Sequence, residues 1–483
     1  MNAQTEIVDT RIGKLEFTHD FANGYPTKET VEKLYDERDF QRACQVYLWG
    51  FPMVSWGGLE GLFRSGQDAA YGDLMLLETY SELSRVLTPN ATTPYAFTWL
   101  NLEQNGPYVV EVPVGPTAGV VDDLWQRPVT DMGLPGPDAG KGGKYLLLGP
   151  GQEVPAGTDG YIVARSSTFN VLPFLRLLPS DAKDRTALAA KIRFYPFNQR
   201  ANPPANKLVR PDDQRIVGSA PRGLAYWEQL SRWINEEPVQ ERDRIMMAML
   251  RSFGIEKGKP FKPDERQKRI LTEAALVGEA MAKANDFDKR QMELSHYADG
   301  VQWHFSLALD PSQEAENYTQ LDERTAWFYE AQATSKGMVT KTPGVGSVYL
   351  GAYKDKDGDW LDGARSYRLR VPPNAPVEQF WSLTIYDVST RTLIDNKEQI
   401  GERSSRMDLV KNADGSVDLY VGPTAPPGFE KNWIPTVPGK AWFAYFRLYA
   451  PTAAHFNHTW TLPDFARADR HRLARSIATV RFV

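Results

Sequence analysis

One cysteine, Cys44, occurs in 483 residues, so no internal disulfide braces this chain. It lies in "RDFQRACQVYLWG", where Phe40, Ala43, Cys44, Tyr47 and Leu48 share a helical face, and it reads as a buried structural thiol. No run of about 18 consecutive apolar residues is present, so no membrane span is expected. The opening "MNAQTEIVDTRIGKLEF" lacks the basic and apolar blocks of an export signal, and the cytoplasm is the expected compartment. A leader trimmed before this start would make it periplasmic or secreted. Basic residues number 56 against 61 acidic ones and are scattered, so no nucleic-acid surface is expected.

Motifs for metals and cofactors are absent too. "HFNHTW" sets His455 and His458 three apart, which on a strand sends them to opposite faces. With no H-E-x-x-H and no cysteine pair, no metal is expected. "KDKDGDW" (354–360) lacks the full calcium-loop spacing and its terminal glutamate, and reads as a hairpin turn at Asp357–Gly358. Neither a G-x-S-x-G elbow nor a dinucleotide fingerprint occurs, and no cofactor is expected. The stretch "GPDAGKGGKYLLLGPG" (136–151) resembles a phosphate loop only superficially. Its glycine spacing is one residue short, Gly142 replaces the hydroxyl, and a strand follows where a helix should, so it is a β-turn.

What is present is a large apolar fraction, 42%, with 12% aromatics, enough for packed cores in more than one domain. Residues 28–65 read as helix capped by Thr27, with Pro52, Gly57 and Gly58 expected to break it near its end. Short apolar runs punctuated by Gly and Pro then predict strands: "YVVEVPV", "GVVDDLW", "KYLLLGP", "YIVARSS". Helical pattern resumes after Asn170, in "LAYWEQLSRWINE", "ERDRIMMAMLRSFGI" and a segment with apolar positions Ile270, Ala274, Val277 and Met281. From about Gly344 strands return, in "FWSLTIYD", "SVDLYVG" and "AWFAYFRLYAP".

These segments predict a multi-domain α and β protein with two related antiparallel β-sandwich, jelly-roll-like units separated by a mostly helical segment. The expected boundaries are an N-terminal extension (1–27), a helical segment (28–84), a first β-sandwich unit (85–170), a mainly helical insertion (171–342) and a C-terminal β-sandwich unit (343–483). The two β-units echo each other. Gly149–Pro150 aligns with Gly422–Pro423 and Arg165 with Arg447, which suggests an internal duplication.

Strand alternation selects the candidate site. Phe443, Tyr445, Arg447 and Tyr449 form an aromatic face with a cation, opposite a core face of Trp442, Ala444, Phe446 and Leu448. Likewise Trp381, Leu383 and Ile385 point inward and Ser382, Thr384 and Tyr386 outward. Val121, Asp123, Trp125 and Arg127 share one face in "VVDDLWQRP". An arginine among aromatics recognises an anionic ligand, or makes a structural ion pair. On the first reading Arg127, Arg165 and Arg447 orient the substrate, and Trp125, Tyr386 and Trp433 form walls. Asp123 and Asp131 are a general acid–base pair if both face a cleft, and turn or cap residues otherwise.

The combination "TPNATTPYAFTWLNLEQNGPYVVEVP", "DDLWQRPVTDMG", "GKGGKYLLLGPG", "FWSLTIYD", "NADGSVDLYVGP", "NWIPTVPGKAWFAYFRLYAP" and "HTWTLPDF" resembles a bacterial tandem-domain family. It pairs domain of unknown function 1254 (N-terminal) with domain of unknown function 1214 (C-terminal). The resemblance implies β-sandwich, jelly-roll-like units with a helical part between them, and members often carry export signals. Members usually read P-N-x-D-T-x-Y where this chain has Pro89 to Tyr95, with Thr92 in place of the acidic residue. A catalytic carboxylate there would be lost; a turn cap would survive as threonine.

The function expected from all this is an enzyme, a hydrolase or lyase acting on a small polar or anionic organic molecule held between the β-units. The alternative is a non-catalytic small-molecule or carbohydrate-binding protein. A second alternative is an assembly protein whose arginines are structural. A small-molecule ligand is the expected partner, without nucleic acid or membrane, and a homo-oligomer is left open.

Overall fold

The computed structural model describes residues 5–66, 68–211, 216–290 and 292–468. Its contacts divide the chain into two units, Met1–Val54 with Pro221–Lys283, and Ser55–Ala220 with Ala284–Val483.

The first unit opens with the antiparallel hairpin β1 (Glu6–Thr10) and β2 (Gly13–Phe17). It holds the start of a helix, Lys28–Arg64, together with helices Leu224–Glu236 and Arg244–Leu250 and most of Glu265–Phe287. Cys44 is buried, and burial pushes its thiol up to about 11, which suits a packing role. In Glu265–Phe287 the buried stripe is Ile270, Leu271, Ala274, Ala275 and Ala282, while Met281 is exposed. The face is rotated from the expected one because Gly278 lets Tyr47 approach closely: an added Cβ would lie 2.6 Å from its ring. The first helix is not broken at Pro52, Gly57 or Gly58 but runs on to Arg64. Within the second unit, a Cβ on Gly58 would lie 2.2 Å from the Ser219 backbone, so that glycine serves a close approach.

The second unit carries two β-regions. The first comprises β3 (Leu74–Leu77), β4 (Tyr95–Phe97), β5 (Leu100–Asn101), β6 (Tyr108–Val112), β7 (Thr117–Asp123), β8 (Pro128–Gly133), β9 (Gly143–Leu148), β10 (Tyr161–Arg165), β11 (Asn170–Leu177), β12 (Arg193–Pro196) and β13 (Leu208–Val209). They form sheets ordered β13-β3-β4-β11-β7-β8, with β5 beside β11, and β10-β9-β6-β12. Next come β14 (His304–Phe305), β15 (Ser347–Ala352), β16 (Tyr367–Val371), β17 (Val377–Asp387), β18 (Glu402–Ser404), β19 (Val417–Gly422), β20 (Trp433–Pro435), β21 (Trp442–Pro451) and β22 (Ala466–Arg467). Their sheets run β14-β15-β21-β17-β18 and β20-β19-β16-β22.

The orders correspond strand for strand: β4-β11-β7-β8 with β15-β21-β17-β18, and β10-β9-β6-β12 with β20-β19-β16-β22. Even the parallel pairs coincide, β9 with β10 and β19 with β20. Each region is two sheets face to face. Val121, Met132 and Leu175 meet Val110, Tyr145 and Leu147 in one core; Leu350, Leu383 and Phe446 meet Leu369, Leu419 and Ile434 in the other.

This topology changes the sequence alignment of the halves. The partner of β21 is β11, so Arg447 corresponds to Arg176 rather than Arg165, which lies on β10. Residues 171–177 and 193–196, expected within a helical insertion, belong to strands of the first region. Pro173 masked β11, because proline is rare inside a central strand. The glycine-rich stretch 136–151 is a turn followed by β9, as expected.

Candidate functional site

On β21 the alternation falls as the sequence predicts. Trp442, Ala444, Phe446 and Leu448 enter the core, and Phe443, Tyr445, Arg447 and Tyr449 cover the other face. On β11 the core takes Leu175 and Leu177, leaving Phe174 and Arg176 on the opposite face. Register then sets a tyrosine beside each arginine: Tyr95 opposite Arg176, and Tyr349 opposite Arg447.

These two faces line a cavity of about 410 Å³. Its walls are largely apolar, with Trp56, Leu59, Leu87, Phe174, Trp327 and Phe380, and both Arg176 and Arg447 line it. Arg447 is only 2% exposed. Its Nη1 donates to Thr384 Oγ1 at 2.9 Å and its Nη2 to the Thr88 carbonyl at 2.8 Å, while Nε has no partner. Arg176 Nη2 donates to the Tyr349 hydroxyl at 3.3 Å. Among the described residues neither guanidinium has a carboxylate in ion-pair reach, and the groups acting on them most strongly are tyrosines. Buried cations without counter-charge are costly, and a cavity beside them is a place for an anion.

Hydrogen bonds behind Thr384 tie down the Arg447 end. Thr384 Oγ1 donates to Glu402 Oε2 at 2.7 Å, and Glu402 also accepts from the Ala91 N–H and the Thr92 hydroxyl. Asn90 Oδ1 caps the turn by accepting from the Thr92 and Thr93 N–H groups. Position 92 therefore contacts Glu402 directly, and a carboxylate there would confront another carboxylate. Behind the wall, the Tyr445 hydroxyl donates to Glu330 in a buried cluster with Tyr353, Lys289 and Asp286.

Residues 331–339 form a strap over one side, with Gln332, Ala333, Ser335, Gly337 and Met338 lining the cavity. The strap is pinned by β7, β8 and the turn between them. The Thr334 N–H donates to Asp122 Oδ2 at 3.1 Å, the Ala333 N–H donates to Gln126 Oε1 at 2.9 Å, and Asp131 faces the N–H groups of Gly337 and Lys336. Burial, only partly offset by those N–H groups, pushes Asp131 up to about 6. Burial, with Asp123 and Asp131 nearby, also raises Asp122 well above the carboxylate range.

Among the sequence candidates, Arg447 lines the cavity, and Tyr386 packs against it with its hydroxyl donating to the Pro89 carbonyl at 2.7 Å. The others lie elsewhere. Asp123 does not pair with Asp131 over a cleft; it closes a turn by accepting from the Trp125 and Arg127 N–H groups and ion-pairs with Arg127 at 2.9 Å. Trp125 and Arg127 thus belong to that turn rather than to a strand face. Trp125 packs under the Arg324 guanidinium, Arg165 donates to the Gln152 carbonyl, and Trp433 donates to the Gly422 carbonyl. Arg176 and Tyr349 went unselected, though "PFLRL" and "SVYLGA" place them by the alternation that revealed Arg447. Among the described residues no group of three or more His, Cys, Asp or Glu could hold a metal, and no helix is long and apolar enough to cross a membrane.

Fold and cavity together define a class: a pair of two-sheet β-regions whose outer faces enclose an arginine-bearing apolar pocket. Within that class, residues 73–196 match the family described as protein of unknown function DUF1254, and residues 346–453 match that of DUF1214, so the chain carries this tandem pair. No curated protein matches the sequence. Among solved structures, the VPA0106 protein from Vibrio parahaemolyticus aligns at TM-score 0.54 and 17% identity, covering 89% of this chain and 100% of its own, a likeness of fold. An uncharacterised protein from Burkholderia cenocepacia aligns at TM-score 0.42 and 12% identity, covering 92% and 90%.

Proposed function

We propose that this protein holds a small organic anion, with its charged group between Arg176 and Arg447 and its apolar body against Phe174, Trp327 and Phe380. The observation that carries this reading is two guanidiniums without a carboxylate partner on the wall of an apolar cavity of about 410 Å³. Cavities of this size suit small metabolites, and a few fixed polar groups set specificity. Hydrolysis or elimination on that anion is the catalytic form of the proposal, and simple binding its alternative. The matching strand orders support descent of both β-regions from one duplicated unit.

The test compares aromatic and short aliphatic carboxylates with their neutral amides in thermal-shift and calorimetric titrations. Carboxylates are expected to bind and stabilise, and the amides not. Equal response to both would make the arginines structural and remove the proposal.

A further inference from the structure

Tyr349 occupies an unusual position. It is 4% exposed and lines the cavity. Its phenol oxygen accepts from Ser347 Oγ at 2.9 Å and from Arg176 Nη2 at 3.3 Å, and the Arg447 guanidinium lies 5.5 Å from its ring centre. Two donors and two cations thus converge on one phenol. The other polar neighbours offer no competing negative charge. Tyr95 sits opposite Arg176 on β4, Tyr445 edges against the ring, and Trp327 packs edge-on. Tyr449, on β21, faces the same two guanidiniums, but its hydroxyl has no hydrogen-bond partner, and burial outweighs the arginines and raises it. The nearest carboxylates described above, Glu402 and Glu330, are engaged with Thr384 and with Tyr445.

We propose that Tyr349 is the acid–base residue of this cavity: it gives up its proton to become the resident counter-anion of Arg176 and Arg447, and regains it when an organic anion takes that place. This rests on the anion site proposed above and adds a proton to its accounting. The phenolate takes one proton from solvent as the anion enters, no bond to the ligand forms, and the charge of the cavity is unchanged. A freshly protonated phenol then stands beside a bound anion, where it can act as general acid. The balance of forces agrees in direction: burial raises the phenol, but the two guanidiniums outweigh it and hold Tyr349 below the usual tyrosine range.

The first arm needs no ligand. Near-ultraviolet titration of the full chain should show one tyrosinate forming ahead of the rest. It should be absent in Tyr349→Phe and shifted back upward in Arg176→Gln. A titration identical in wild type and Tyr349→Phe overturns the proposal whatever the cavity binds. The second arm uses benzoate, titrated calorimetrically above the midpoint of that early tyrosinate in two buffers of different ionisation enthalpy. Wild type should take up close to one proton per benzoate bound and lose the early tyrosinate signal, whereas Tyr349→Phe should bind without uptake. Binding without proton uptake in wild type overturns the exchange and leaves the anion site standing. No binding of benzoate, with the early tyrosinate present, counts against the anion site instead.

Discussion

At the residue scale, His455 shows why a histidine motif need not be a metal site. It is buried on a short helix, stacks 6.5 Å from Tyr297, and meets Phe305 edge-on. Burial first, then the charge of His458, pushes it down to about 4. Its folded pKa lies below the unfolded value, so its contribution is present above about 6.5 and lost as pH falls towards about 4. His455→Phe, which keeps the ring packing and removes the titration, should gain on wild type by on the order of 1–3 kcal/mol across that window. Denaturant melts at several pH values measure this; parallel curves for the two proteins would contradict it. The strand expected for His455 and His458 is instead the short helix Ala453–Phe456 and the turn after it, and the aromatic cage was not legible, since Tyr297 and Phe305 arrive from a distant segment.

At the scale of elements, the strap 331–339 depends on side chains from β7 and β8. Asp131 has the opposite sign to His455. Its folded pKa is raised, so the folded state prefers the protonated carboxyl, and stability declines as pH rises from about 4 to about 6. Asp131→Asn keeps an acceptor oxygen for the Gly337 and Lys336 N–H groups without the charge. It should raise stability at neutral pH by about 1–3 kcal/mol and flatten the dependence. Thermal melts at neutral and acidic pH check this; equal gains at both would place the cause elsewhere. The sequence paired Asp131 with Asp123 as a general acid and base. Asp123, chosen for its face, is spent on the Arg127 turn. Alternation puts Asp122 on the opposite face of β7 from Asp123, and it is Asp122 that accepts from the strap and is raised by burial.

At the scale of the whole chain, strand patterns, the tandem pairing and the two faces of β17 and β21 were legible because alternation is local. The correspondence of halves was legible only in part. Matching short motifs aligned Arg165 with Arg447, whereas the sheet orders align Arg176. Loops of unequal length and Pro173 hid the true register. If one anion is shared by both regions, Arg176→Gln and Arg447→Gln should each weaken carboxylate binding by roughly ten- to a hundredfold, the worth of a charge-assisted hydrogen bond. Calorimetry on both variants checks this; a loss confined to one would assign the anion to one region alone.

The surroundings of the two arginines are not alike. Across its sheet Arg176 faces Ala118, with Leu178 two residues on; Arg447 faces Ser382, followed by Tyr449. Two identical subunits joined about a twofold axis would present a bound molecule with two indistinguishable orientations. Here Ala118 and Leu178 flank one arginine and Tyr445 and Tyr449 the other, so a guest has two unlike ends imposed on it. A guest therefore has one preferred direction in the pocket, decided before its substituents are read.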